Sequence, residues 1–279
     1  MKTHEIIVRG GLGNQLFCLL QGYRFLLEEN CNVVFNISNY EINKNINRKF
    51  CLDLIYPDIK RQYKIETGKK SFIKYLFINS LSKLQTDVDA NNLAGDKTIK
   101  LNYLPSKFLH LGYFQHINHR KNDQESLSEM LSKLQPIILK KQKVNHLAIH
   151  LRRGDYLLKK HNIHGLIPED YLYKEAEYFL SKGNFDGITI FTDSPNLINI
   201  KKFDRLNVKV KIDQGGDAIE VFCRMCNHNS LIASNSTFSL WAGIIGQIKN
   251  FSIPYYWMKG IKSDLLGLNN VRRYLCHLE

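Results

Sequence analysis

Residues 146–156 read His-Leu-Ala-Ile-His-Leu-Arg-Arg-Gly-Asp-Tyr, a strand that stops abruptly in charge. From Val144 to Leu151 the chain runs through apolar and small residues, the pattern of a buried strand. Polarity then arrives at once with His150, Arg152, Arg153 and Asp155, and Gly154 lets the backbone turn. In open α/β sheets, ligands sit outside the carboxyl ends of strands. Arginine presents a planar fork of donors that matches phosphate oxygens. A strand that ends in two arginines and a glycine is therefore a candidate anion site. The plainer alternative is a surface turn that solvates the strand end.

Outward from this stretch toward the carboxyl terminus, strands and helices alternate. Pro168-Glu-Asp-Tyr171 starts a helix, with acidic residues in the first turn. Gly187–Phe191 is a strand that runs into Thr192-Asp193-Ser194-Pro195, so Asp193 also sits at a strand's carboxyl end. A strand over 208–212, a helix over 217–227 and a strand over 230–233 follow. Ser234-Asn235-Ser236-Thr237-Phe238-Ser239 then opens a helix that begins near Leu240. Small hydroxyl residues at a helix start cap it, and they also donate to phosphate. Trp241 reads as core. Residues 260–279 form a basic tail with some helical pattern.

Toward the amino terminus, Glu5–Val8 reads as a strand and Arg9-Gly10-Gly11-Leu12-Gly13 as a glycine loop. Apolar residues then recur at helical spacing from Asn14 to about Glu28. The spacing is not that of a dinucleotide fingerprint. Asn14 and Gln15 are placed to bond a phosphate or sugar hydroxyls, or else to close a packed helix start. Val33–Ile37 is a second strand. Residues 38–110, rich in Asn and Lys, read as short helices and loops that build an acceptor surface. A helix over 124–140 leads to the basic break Lys140-Lys-Gln-Lys143. The alternation in both halves predicts an α/β protein of two domains facing a cleft, 1–141 and 142–279.

Three motifs carry a family resemblance. His150-Leu-Arg152-Arg153-Gly-Asp155 resembles the His-x-Arg-Arg-Gly-Asp signature of the α-1,2-fucosyltransferases, glycosyltransferase family eleven. Gly10-Gly-Leu-Gly-Asn14-Gln15-Leu-Phe17 resembles that family's amino-terminal motif, and Ser234–Ala242 its carboxy-terminal one. Gly112-Tyr113-Phe114-Gln115 is similar to a further family segment. The resemblance implies two Rossmann-like domains of GT-B type, with the nucleotide held mainly by the second. It implies inverting transfer of L-fucose from GDP-fucose to the 2-hydroxyl of a galactose, in a lipopolysaccharide O-antigen or a similar surface polysaccharide. Arg152 is the expected catalytic cation at the departing β-phosphate, with Arg153 assisting or holding the loop. Asn14, Ser234, Asn235, Ser236 and Thr237 are expected to complete the anion cradle. His150 and Asp193 are expected to meet guanine or ribose, although His150 also reads as a hydrogen-bonded strand-end histidine. Asp155 is either the general base or the group that orients Arg152.

Composition narrows the partners. Lys plus Arg is 39 and Asp plus Glu is 26, a net charge of +13 that asks for an anionic partner. A basic binding module for nucleic acid or anionic membrane is the competing class, and the spread of the charge along the chain speaks against it. No nucleic-acid partner is expected, while peripheral contact with an anionic membrane where a lipid-linked acceptor lies is. No signal peptide or membrane-spanning run is read, so a cytoplasmic location is expected, with six reduced thiols. Cys223-x-x-Cys226 lacks a second pair and reads as buried thiols. Asp87-Val-Asp89 raises a metal-dependent transferase as a rival, but reads as a solvated helix start. His161 and His164 read as solvated or substrate-contacting. With arginines at the phosphate, no metal cofactor is expected.

Overall fold

The computed structural model describes residues 1–29, 31–42, 48–84, 97–100, 107–117, 122–140, 142–157, 163–263, 267–268 and 271–279. It comprises two compact units, Met1–Ile137 with Leu265–Gly267, and Ile138–Asp264 with Leu268–Glu279. The division falls in the last turn of a helix, a few residues ahead of the 141/142 break expected from the sequence.

The first unit runs β1 (Thr3–Ile7), α1 (Leu12–Glu29), β2 (Asn32–Asn36), α2 (Ser38–Ile42), α3 (Leu52–Ile55), α4 (Ile59–Gln62), β3 (Lys64–Glu66), α5 (Gly68–Leu84), β4 (Lys97–Lys100), β5 (Lys107–Leu111) and α6 (Asp123–Ile138). Its sheet has the order β3-β2-β1-β5-β4, with β1 in the middle. Strands β2 and β5 lie parallel to β1, and Ile7 is in register with both Asn36 and Leu111. The segments after β1 and β5 therefore leave from one edge. Residues 4–7 of β1 are all buried, as a parallel strand covered on both faces requires. Leu16, Phe17, Leu19, Leu20 and Tyr23 of α1 pack inward. Arg24 interrupts that apolar run, yet its side chain is fully buried. Its Nε donates to Asp123 Oδ1 at 2.7 Å, tying α1 to the start of α6. Breaking such a pair strands a buried charge.

The stretch read as short helices and loops, 38–110, in fact holds a 17-residue helix and three strands. The reason lies in the residues. Helix α5 leaves Ile73 and Leu76 exposed, so apolar residues also lie on its solvent side and blur the helical pattern. Strands β3 (Lys-Ile-Glu) and β4 (Lys-Thr-Ile-Lys) are short edge strands with one apolar residue each, so their patterning is weak.

The second unit runs β6 (Val144–Leu151), α7 (Glu169–Leu180), β7 (Gly187–Thr192), β8 (Val210–Ile212), α8 (Ala218–Cys226), β9 (His228–Ile232), α9 (Thr237–Ile245), β10 (Asn250–Pro254), β11 (Tyr256–Met258), β12 (Ile261–Lys262) and β13 (Arg272–Tyr274). Its six-stranded sheet, β13-β10-β9-β6-β7-β8, is parallel throughout. The chain winds from β6 out to β8, then returns to the other side of β6 with β9. That reversal is the Rossmann switch point, where such sheets bind ligands at their carboxyl ends. Leu147, Ile149, Leu151, Ile188, Ile190 and Ile232 form the sheet's core with Leu172, Ala176 and Phe179 of α7. Trp241 is fully buried, as read from the sequence.

The basic tail differs from its expected helical pattern. Arg272–Tyr274 adds a parallel strand beside β10, and Tyr274 turns inward to donate to the carbonyl of Ala233 at 2.7 Å. Edge pairing plus one buried aromatic ring outweighs the weak helical period. Two doubly wound Rossmann-like units in one chain are the GT-B composition expected from the sequence.

Candidate active site

Strands β6 and β7 are parallel neighbours, with Leu151 opposite Thr192. The next residues on each strand, Arg152 and Asp193, are thereby brought together. Arg152 Nη1 lies 2.7 Å from Asp193 Oδ2. Asp193 Oδ1 accepts from the backbone N–H groups of Arg153 (2.9 Å) and Gly154 (3.0 Å). One carboxylate thus fixes both the arginine and the turn that carries it. A β-carbon at position 154 would lie 2.4 Å from Asp193 Oδ2, so the contact requires glycine there. Asp193 was expected to meet guanine or ribose. The structure places both its oxygens on the arginine turn, with a quarter of the side chain still exposed.

The Arg152 side chain keeps 18% of its surface exposed, and its guanidinium carbon lies 5.7 Å from the centre of the Tyr156 ring. The Arg153 side chain turns toward its own chain, where Nη1 donates to the carbonyl of Arg152 at 3.3 Å. Burial pulls its pKa down, against the nearby charges of Glu169, Asp193 and Glu279. Asp155 lies in a 3-10 turn, Gly154–Leu157; its side chain is outside the described residues.

His150 is 5% exposed, and its Nδ1 shares a 2.8 Å hydrogen bond with Ser234 Oγ. Burial first, and the Arg152 charge second, push its pKa down to about 3, so the ring is neutral at pH 7. The geometry shows the hydrogen bond of a strand-end histidine at Nδ1. It couples the end of β6 to the turn after β9. Asn235 Nδ2 donates to the carbonyls of His164 (2.7 Å) and Gly165 (3.2 Å), while the Asn235 carbonyl accepts from Tyr156 Oη at 2.9 Å. Ser234 and Asn235 thereby brace the loops around the end of β6. Ser236 stands at the cap position of α9 without using its side chain to cap it, and Thr237 is the first helical residue.

Asn14 lies on the other unit, in the first turn of α1. Its Oδ1 accepts from Gln115 Nε2 at 3.1 Å, so the glycine loop and the Gly112–Gln115 segment meet at the carboxyl edge of the first sheet. Gly10 has φ +83°, and a β-carbon there would strike Asn14 Nδ2 at 2.5 Å. Sequence reading missed Tyr156, whose ring lies near Arg152 and stacks on His164 at 4.8 Å. Its place two residues past Gly154 was the available signal. Among the described residues no three of His, Cys, Asp or Glu cluster as metal ligands; Asp87, Asp89 and His161 lie outside those residues.

An arginine turn at the switch point of a parallel sheet, in a chain of two Rossmann-like units, defines a GT-B glycosyltransferase. The chain belongs to glycosyltransferase family 11, whose family model (Glycosyl transferase family 11) matches residues 56–256. It is 23% identical over 259 residues to an alpha-1,2-colitosyltransferase of Escherichia coli, a match covering 88% of this chain and 87% of the relative. It is also 23% identical over 305 residues to the O-antigen biosynthesis glycosyltransferase WbnK of Escherichia coli, covering 94% and 97%. Among solved structures it is similar to the E. coli heptosyltransferase WaaC with ADP, at 10% identity and TM-score 0.49, covering 98% of this chain and 92% of that one. Among the described residues, no helix is long and apolar enough to cross a membrane.

Proposed function

We propose that this glycosyltransferase moves L-fucose from GDP-fucose to the 2-hydroxyl of a galactose, inverting the anomeric centre and needing no metal. The observation that carries the reading is the Arg152 guanidinium, locked by Asp193 at the switch point. As the sugar–phosphate bond breaks, negative charge grows on the β-phosphate. A cation already held in place stabilises that charge without reorganising. The Ser236–Thr237 start of α9 supplies further donors to the phosphates, and Asn14 is a further donor-binding residue. With Asp193 engaged in orienting Arg152, Asp155 is left as the carboxylate that takes the acceptor's proton. The names of the two relatives support an α-1,2 linkage and an O-antigen acceptor. A lipid-linked form of that acceptor would bring the chain to the inner face of the cytoplasmic membrane.

Colitose lacks the 3-hydroxyl of fucose, so the donor panel must hold both sugars. Labelled GDP-fucose, GDP-colitose and a UDP-hexose are offered with galactose-terminated acceptors, with and without EDTA, and the product linkage is read by methylation analysis. Fucose on O2, formed equally in EDTA, is the expected result. Transfer only from the UDP-sugar, or EDTA inactivation reversed by manganese, overturns the reading.

A further inference from the structure

The first unit has an arginine-bearing edge of its own, which the transfer chemistry above leaves unused. Arg9 lies two residues past the end of β1 and over the Tyr113 ring, 4.6 Å from guanidinium carbon to ring centre. Its Nε is buried without a hydrogen-bond partner, and among the described residues Arg9 makes no ion pair. Arg48 reaches the same loop, for a β-carbon at Gly11 would lie 3.1 Å from its Nη1. Gln15, fully buried, holds the two segments together. Its Nε2 donates to the carbonyls of Lys49 (2.8 Å) and Gly10 (3.2 Å), and its Oε1 accepts from the Cys51 N–H at 2.8 Å. Tyr40 Oη donates to the carbonyl of Gly10 at 2.8 Å.

Phe114, a non-glycine residue, has φ +51°. A side chain held there is strained and persists where its surroundings over-determine it. Here Tyr113 and Gln115, on either side of Phe114, are both engaged at the glycine loop. A guanidinium held by its face keeps its edge donors for a carboxylate or phosphate. The neighbouring tyrosine and amides suit sugar hydroxyls.

We propose that Arg9 and Arg48 form an oxyanion subsite on the first unit that takes an anionic group of the acceptor glycan. The shared chemistry is a carboxylate or phosphate oxygen, from an acidic sugar or from the phosphodiester of a lipid-linked acceptor. The inference rests on the glycan acceptor proposed above.

The test is calorimetry on the full chain without donor. Three galactose-terminated acceptors are titrated: a neutral one, one with an adjacent uronic acid, and one with a phosphodiester aglycone. At least one anionic acceptor should bind about tenfold tighter than the neutral one, and which arm wins names the source. Arg9→Gln and Arg48→Gln should remove most of that preference. Arg9→Lys, which keeps the charge but not the fork, should retain part of it. Near-ultraviolet circular dichroism checks each variant's fold. Equal affinity for all three acceptors, or binding of none, overturns the subsite. Loss of GDP affinity in Arg9→Gln also overturns it, by moving the arginines to the donor. Because no donor is present, a failure of fucose transfer would strike the proposed activity and leave this result standing.

Discussion

Arg9-Gly10 and Arg152-Arg153-Gly154 are two solutions to one local problem. Each follows the strand from which its sheet is wound, and each puts an arginine and a glycine at the carboxyl edge. They differ in what holds the arginine. Arg152 is gripped by a carboxylate, Asp193, at 2.7 Å, whereas Arg9 lies on the face of Tyr113. A carboxylate fixes the direction of the guanidinium and offsets its charge, so little pull remains for a ground-state anion. What remains is directional, suited to charge that appears only as a bond breaks. An aromatic face holds the side chain and leaves the full charge outward, which suits binding a permanent anion. The partner, more than the arginine, separates catalysis from recognition.

The comparison is tested hardest at Arg152. Removing one preorganised donor to a developing oxyanion typically costs on the order of 10²–10³ in rate. Arg152→Ala should lower kcat by at least that factor in steady-state kinetics, on protein shown by circular dichroism to be folded. Arg152→Lys should remain badly impaired, because a point charge does not replace the fork. A near-normal kcat in Arg152→Ala would move the catalytic centre elsewhere.

Acid should separate the two regions next. The second unit buries two histidines with lowered pKa values: His150, at about 3, and His228, at about 4, each mainly through burial. The folded state refuses protons that the unfolded state accepts below its ordinary value of about 6.5. Their contribution is therefore complete above pH 6.5 and is lost as pH falls toward the folded values, at up to about 1.4 kcal/mol per pH unit for each group. Both tryptophans, Trp241 and Trp257, lie buried in this unit, so their fluorescence reports on it. Urea midpoints followed this way should fall from pH 7.5 to pH 5, and His228→Gln should flatten that slope. A slope unchanged by the substitution would show that His228 is already protonated in the fold.

Much of the second unit was legible because each of its central strands is a short apolar run ending at a polar turn. The GT-B architecture and the Arg152 turn followed from that pattern and from the motif resemblance. The Arg152–Asp193 pair was not legible: the two are far apart in sequence, and only the β6–β7 register sets them side by side. The loop contacts of Asn235 were not legible for a similar reason. A polar residue in a motif looks available until the loops that consume its donors, here His164 and Gly165, are in place. Within 38–110, local patterning was weakest where edge strands and a poorly amphipathic helix depend on tertiary support.

That pairing offers a finer test. Asp193→Asn keeps an oxygen for the backbone N–H groups but loses the charge opposite Arg152. Gly154→Ala drives a β-carbon into the same carboxylate. Both should lower kcat about tenfold, roughly 1.4 kcal/mol, with little change in the Kd for GDP. Full kcat with weakened GDP binding would return Asp193 to the nucleotide.

Arg153→Ala should have the smallest effect on turnover. The backbone N–H that Asp193 grips belongs to residue 153 but survives in alanine, so the turn keeps its anchor. What is lost is a side chain that bonds the Arg152 carbonyl and sits in the field of Glu169 and Glu279. Removing one such hydrogen bond costs about 1 kcal/mol. The urea midpoint read by tryptophan fluorescence should therefore drop, while kcat stays within about fivefold of the parent, a change near 1 kcal/mol. The opposite pattern, an unchanged midpoint with turnover lost as in Arg152→Ala, would mean that both arginines face the phosphate. Carboxylate locking of one arginine would then no longer distinguish this turn from the Arg9 loop.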